Sequence, residues 1–374
     1  MEDAKTMNLE QQRQTVQLEF VNSKQNLKLG DLNAIPLTLD QLKKTTSQSP
    51  YVVETFKSGL TAIVYHIRIE GKDWTLKTKR SESLVQNIDG QTSFLNEVQR
   101  RIDLSALKQS NPEDFQHIVE TQYASFQDGI ILSPWIDGAP LQRLDKSVFD
   151  QIFNTVIHLE LRGLFEWDFC PGNILQSDSA RIKLFDFGYM YRFDPKIHFN
   201  SNGVDTPIFH GVERFETRFF FDYLLKNPLQ LSEAEKFDLY KLEKHCALLA
   251  YQNKLKQLKL LGASAHVIEH QTAINNNWEL AIQSAEALQD LFIQESFRSN
   301  LLDLLDDIHG KSCSSYTIQK SDLVLDMLTN NFEKLKSNDG FFFGDEHLDK
   351  QQLLVKYQEL KQKALDYQLI GSTA

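Results

Sequence analysis

Phe165-Glu166-Trp167-Asp168-Phe169-Cys170-Pro171-Gly172-Asn173-Ile174-Leu175, followed by Lys183-Leu184-Phe185-Asp186-Phe187-Gly188, is the stretch that decides how this chain is read. Asp168 precedes Asn173 by five residues, and Asp186 follows that Asn by thirteen. Phosphoryl transfer requires one carboxylate to receive a hydroxyl proton, and an Asn and a second carboxylate to hold magnesium. Hard oxygen donors suit Mg²⁺, with phosphates and water completing its octahedron. The apolar runs Ile174-Leu175 and Ile182-Lys183-Leu184-Phe185 read as two short strands joined by the polar turn from Gln176 to Ala180. A surface loop in which Asp168 and Asn173 bond their own backbone is the competing reading.

This wording resembles the catalytic loop and DFG segment of the protein-kinase-like superfamily. Its D-x-x-P-G-N-I-L form is closest to the aminoglycoside and choline phosphotransferase branch. The resemblance makes Asp168 the catalytic base, Asn173 a metal ligand and Asp186 the main metal ligand. It departs from the family at Glu166, two residues before Asp168, where these families usually carry a His that supports the loop backbone.

Upstream residues extend the pattern. Ile63, Tyr65, Ile67 and Ile69 alternate with Val64, His66, Arg68 and Glu70, the period of a half-buried strand. Gly71-Lys72-Asp73 reads as the hairpin turn and Trp74 to Lys77 as the next strand. In isolation Lys77 is a solvated strand lysine; the resemblance puts it on the α- and β-phosphates of ATP. The loop before it, Lys57 to Ala62, holds one glycine, Gly59, which lets backbone N–H groups approach phosphate, with Ser58 as a hydroxyl donor. A helix from about Gln91 to Leu107 carries Phe94, Val98 and Ile102 on one stripe. It also carries Glu97, the counterpart of the kinase lysine's carboxylate partner; Glu82 is a less favoured substitute. Ile118 to Ala124 and Gly129 to Leu132 read as further strands. Ser133 to Gly138 breaks the periodicity as a connector, where the resemblance puts adenine beside Leu132 and Trp135.

At 374 residues the chain is long enough for two lobes. A net charge of −11 argues against nonspecific nucleic-acid binding, which needs a basic face. Cys170, Cys246 and Cys313 are odd in number and widely spaced, fitting neither zinc nor a disulfide framework, so a reducing cytoplasm is expected. No apolar run approaches the roughly 18 residues of a membrane span, and the polar start lacks a signal-peptide core.

Residues 1–45 form a polar N-terminal extension, either partly disordered or an arm, with Leu9, Val16 and Phe20 as the face of a short helix. Residues 46–136 make the smaller lobe and residues 137–374 the larger. A helix from Asp145 delivers the catalytic loop, and beyond about Gly211 nearly everything reads as helix. Asp303, Asp306 and Asp307 read as a solvated face. The segment after Gly188 has no Ser or Thr before Ser201, and no A-P-E follows. Protein kinases use both features for activation-loop switching.

The expected fold is α+β and bilobal, protein-kinase-like, with a small mixed β-sheet lobe and a large helical one. The expected function is ATP- and Mg²⁺-dependent phosphorylation of a hydroxyl on a small molecule: an amino sugar, amino alcohol or sugar. An atypical Ser/Thr protein kinase, an atypical kinase of the ubiquinone-biosynthesis type and a catalytically silent kinase-fold binding module stay open as alternatives.

Overall fold

The structure, a computed structural model, describes residues 7–33 and 35–369. It is a mixed α+β protein, 53% helix and 14% strand, with a small antiparallel sheet and a largely helical C-terminal part. The chain divides into two compact units. The first is the chain up to Leu141 with Asn154–Asp168 and Gly172–Pro207. The second is Gln142–Phe153, Phe169–Pro171 and everything from Ile208 onward.

In the first unit, helix α1 (Leu9–Asn22) opens with a reciprocal capping box between Asn8 and Gln11. Its buried residue is Gln17, whereas Val16 is 64% exposed. The apolar stripe expected there is therefore replaced by a polar contact face, with Phe20 and its neighbour Val21 packed into a core. Strand β1 (Lys28–Gly30), helix α2 (Leu39–Lys43) and strands β2 (Val52–Phe56), β3 (Ala62–Ile69) and β4 (Lys72–Lys79) follow. The β3–β4 turn is the pair Glu70-Gly71, both at positive φ, with Ile69 opposite Lys72. Two left-handed residues match the strand twist in a two-residue hairpin, so Lys72 and Asp73 belong to the strand and not to the turn.

Helix α3 (Ile88–Ser110) precedes β5 (Tyr123–Ser125) and β6 (Ile130–Pro134), completing a six-stranded antiparallel sheet in the order β1-β5-β6-β4-β3-β2. Ile118 and Val119, expected in a strand of that sheet, instead bridge to Leu184. Successive strand residues point to opposite faces. Leu76 enters the core with Leu42, Ile67 and Leu132, while Ala62 and Ile131 on the other face pack against Phe94, Leu95 and Val98 of α3. Lys77 lies between Val64 and Ile131 in the ladder, so the pleat sends it to the α3 side.

Strand β7 (Ala139–Pro140) joins β9 (Ile174–Gln176) and β10 (Ile182–Leu184), the two strands expected on either side of the polar turn, and β8 (Leu164–Glu166) pairs with β11 (Met190–Arg192). Helix α4 (Lys146–Leu161), capped by the Asp145 carboxylate on the Val148 N–H, runs into β8.

The second unit is built from α5 (Gly211–Phe215), a π-helical turn Glu216–Phe220, α6 (Phe221–Lys226), α7 (Glu233–Leu260), α8 (Ala265–Ile282), α9 (Ala285–Gly310), α10 (Ser315–Ser337) and α11 (Lys350–Asp366). One core gathers Phe297, Leu301, Leu328 and Tyr357. The acidic run of α9 is not a solvated face throughout. Asp303 is buried against Arg218 and Lys320, and Asp307 accepts the Thr317 hydroxyl at 2.6 Å; Asp306 pairs with Arg214. Among the described residues no helix is long and apolar enough to cross a membrane.

Candidate active site

The β4 pleat and the α3 stripe bring two of the expected residues together. Lys77 Nζ lies 2.5 Å from Glu97 Oε2, and Arg101, one helical turn beyond Glu97, holds Oε1 at 3.0 Å. The i, i+4 spacing is the one at which helix side chains meet, and it could have marked Arg101 in the sequence. Glu82 lies in neither ion pair. Lys77 also reaches Asp186 Oδ2 at 2.8 Å. Burial alone would lower the Lys77 ammonium; the charges of Asp186 and Glu97 outweigh it and hold the group above its ordinary range. Asp186 is the mirror case. Burial would raise its carboxyl, but Lys77 outweighs burial and the net shift is downward, so it is an anion at neutral pH.

Asp186 also carries a backbone φ of +67°. A non-glycine residue in the left-handed region is sparsely populated and persists where its surroundings fix it. Two fixations are present here: the Lys77 ion pair, and Asn96 on α3. The Asn96 Nδ2 lies within hydrogen-bond distance of the carbonyls of Phe187 (3.4 Å), Gly188 (3.0 Å) and Met190 (2.7 Å). No motif flagged Asn96; on α3 it is one position before Glu97 and reads as an ordinary helix residue.

The loop from β8 to β9 holds Asp168 and Asn173. The Asn173 side-chain N–H donates to the Asp168 carbonyl at 3.0 Å, which leaves its own Oδ1 as a hard oxygen donor. Glu166, at the position where a His was expected, is buried and takes up a backbone role: its Oε1 accepts the Asp168 N–H at 2.8 Å. Burial pushes the Glu166 carboxyl well up, and the nearby Asp168 and Asp186 charges add to this. Its Oε2 is buried without a hydrogen-bond partner.

The phosphate-loop residues sit apart from these contacts. Ser58 is exposed. Gly59 is required by close approach, since a Cβ there would meet the Ala62 carbonyl oxygen at 2.7 Å. Arg80, which sequence reasoning passed over, ties the loop down by donating to the carbonyls of Gly59 (2.9 Å) and Lys57 (2.6 Å). Leu132 is a core side chain, and its carbonyl already accepts the Gln122 N–H at 2.9 Å. Trp135 donates its backbone N–H to Asp73 at 3.1 Å and stacks on His66, with centroids 3.8 Å apart. Both residues serve packing in this arrangement.

Among the described residues no group of three or more His, Cys, Asp or Glu is arranged to hold a metal alone. The donor set that fits a hard cation is Asp186 with Asn173 Oδ1, two ligands that need phosphate oxygens to complete a magnesium shell. Lys77 has three N–H donors, two of them engaged by Glu97 and Asp186, which leaves one for an anion. Compared with known proteins, the chain matches no protein-family model and no curated sequence.

Proposed function

We propose that the chain is a kinase-like, bilobal phosphotransferase that uses ATP and Mg²⁺ to phosphorylate a hydroxyl of a small molecule, an amino sugar, amino alcohol or sugar. The observation that carries this reading is the conjunction of Lys77 with Glu97 and Asp186, beside a loop in which Asn173 braces Asp168. Bound Mg²⁺–ATP would supply the transferable phosphoryl group and the charge neutralisation that its transfer needs. Lys77 binds and orients phosphate oxygens, held in place by Glu97, which Arg101 in turn holds. Asp186 and the Asn173 carbonyl oxygen offer the metal ligands. Asp168 orients the acceptor hydroxyl and takes its proton as the bond to phosphorus forms.

The small-molecule acceptor is favoured over a peptide because the segment after Gly188 lacks an early phosphosite and an A-P-E anchor. The test is ATP turnover with Mg²⁺ against amino sugars, choline-like alcohols, sugars and a generic protein substrate, comparing the wild type with Asp168→Asn. The variant is expected to keep its affinity for ATP within a few-fold while kcat falls by roughly 10²–10⁴. A wild type that binds ATP and turns over none of these acceptors would replace this reading with a silent binding module.

A further inference from the structure

Away from Lys77 and Asp186, the first unit carries an open cleft of about 670 Å³. The end of α3, the segment before β5, the connector after β6 and the β9–β10 turn line it. Its size falls in the range of small-molecule sites. Its lining carries more cations than anions in a chain whose net charge is −11: Lys108, Arg181 and Lys183 stand against Glu120 and Asp137, with His117 beside them. Backbone carbonyls tether the two ammonium groups, Lys183 on Gln116 at 2.5 Å and Lys108 on Ile118 at 2.6 Å. Lys108 also pairs with the exposed Glu120. Each ammonium has three donors, so both keep capacity for a further acceptor. Of the Arg181 guanidinium, Nε reaches Ser179 at 3.4 Å, and its two terminal nitrogens form a planar fork.

The cluster is under-neutralised. Burial lowers the Lys183 ammonium, and Lys108 and Arg181 depress it further against Glu120. Burial also lowers His117, and Lys183 and Arg181 add to that shift beyond what its hydrogen bond to the Ile182 carbonyl restores. An anion entering the cleft would relieve this like-charge repulsion.

We propose that the cleft binds a small phosphorylated molecule, its phosphate held by Lys183, Lys108 and the fork of Arg181, and its body lying against Trp135 and the connector. Tethered ammonium groups and a planar guanidinium suit a compact dianion. The proposal does not depend on the phosphotransferase reading, in which Lys108, Arg181 and Lys183 take no part.

The test is calorimetric titration of the full chain with inorganic phosphate and with phenyl phosphate, at ionic strength held constant with sodium chloride. Three proteins are compared: wild type, Arg181→Gln/Lys183→Gln, and Lys77→Met. Saturable binding is expected in wild type and in Lys77→Met, weakened about tenfold or more in the double variant, as loss of charge-assisted hydrogen bonds implies. Absence of saturable binding by both probes, equal binding in the double variant, or loss confined to Lys77→Met would each overturn the proposal. Should the double variant fail to fold, Arg181→Gln alone, at an exposed side chain, decides it by the same criterion.

Discussion

Lys77 and Lys244 are both buried lysines paired with carboxylates, two for Lys77 and three for Lys244, yet their surroundings differ in kind. Lys77 has Glu97 on one side and on the other Asp186, whose side chain is 36% exposed and whose backbone is left-handed. Lys244 is wholly enclosed. It pairs with Glu216 on the π-helical turn and with Glu295 at 2.6 Å, with Glu243 at 3.6 Å. Arg298 takes the second Glu216 oxygen, and the Tyr240 hydroxyl (2.6 Å) and Trp278 indole (3.2 Å) both donate to Glu295. Every partner of Lys244 is itself buried. The first cluster keeps an open side and a residue at positive φ; the second is closed and ties together α7, α8 and α9. A buried ion pair is therefore no marker of function by itself. An open carboxylate beside it is the informative feature.

The largest effect expected from this contrast is on stability. Lys244→Met would leave Glu216 and Glu295 buried with Arg298 as their remaining cationic partner, and breaking a buried pair in this way costs about 3–5 kcal/mol. Lys77→Met leaves Glu97 paired with Arg101 and Asp186 in reach of water, so its cost stays within about 2 kcal/mol; the proposed function predicts that it weakens ATP binding. Urea unfolding of the two variants measures this. Equal destabilisation would dissolve the distinction between site and scaffold.

Next comes a pH effect confined to the second unit. The Asp307 carboxyl is pushed up to about 6 by burial and by the neighbouring charge of Asp303, with Arg218 opposing. A carboxyl raised in the folded state holds a proton that the unfolded chain has released. This group therefore costs stability increasingly from about pH 4 to about pH 6, and fully above that. Asp307→Asn removes the titration and keeps an acceptor for the Thr317 hydroxyl. Its stability relative to wild type should rise across that window and then level off, by at most about 3 kcal/mol. A stability difference that does not change between pH 4 and pH 8 would remove Asp307 as the source.

How much of this was legible differs between the two regions for a physical reason. Lys77, Glu97, Asp168, Asn173 and Asp186 stand out because their separations along the chain resemble the kinase pattern. The strands on either side of the Gln176 turn and the apolar stripe of α3 follow from side-chain period. The Lys244 network left no such trace. Its members lie on helices as single polar residues among apolar ones, and Tyr240 and Trp278 read as plain packing, so three-dimensional proximity alone joins them. Local chemistry also hid Glu166, whose acceptor role for the Asp168 N–H depends on the turn of the backbone and not on which residue the position usually holds.

Glu166 sharpens the comparison at the site itself, as a positioning residue. Burial pushes its carboxyl well up, which favours the protonated acid as the acceptor of the Asp168 N–H. Glu166→Gln should then keep turnover within about threefold and leave the acid limb of the pH–rate profile unmoved. Glu166→Ala removes the acceptor and should lower kcat by up to about tenfold, the equivalent of one neutral hydrogen bond. If Gln is as damaging as Ala, a carboxylate charge matters there and the neutral-acceptor assignment fails.

The smallest expected effect concerns helix α1, where the sequence offered little more than a polar segment. Gln17 is buried; its side-chain N–H donates to Asn96 Oδ1 at 3.2 Å, and its own carbonyl accepts the Thr92 hydroxyl at 3.2 Å. That first bond orients the Asn96 amide, committing Oδ1 to Gln17 and Nδ2 to the carbonyls of Phe187, Gly188 and Met190. Arg13 reinforces the contact by pairing with Asp89 at 3.2 Å and covering the Tyr191 ring at 3.6 Å. Two neutral hydrogen bonds contribute about 0.5–1.5 kcal/mol each, so Gln17→Ala should cost about 1–3 kcal/mol in urea unfolding. The more telling readout is local. Without its partner the Asn96 amide is free to turn, and the backbone from Phe187 to Met190 loses its fixed donor. Hydrogen exchange of those amides should quicken more than exchange elsewhere in the first unit. Uniform quickening would mean that α1 supports the first unit as a whole and has no particular hold on the segment that carries Asp186.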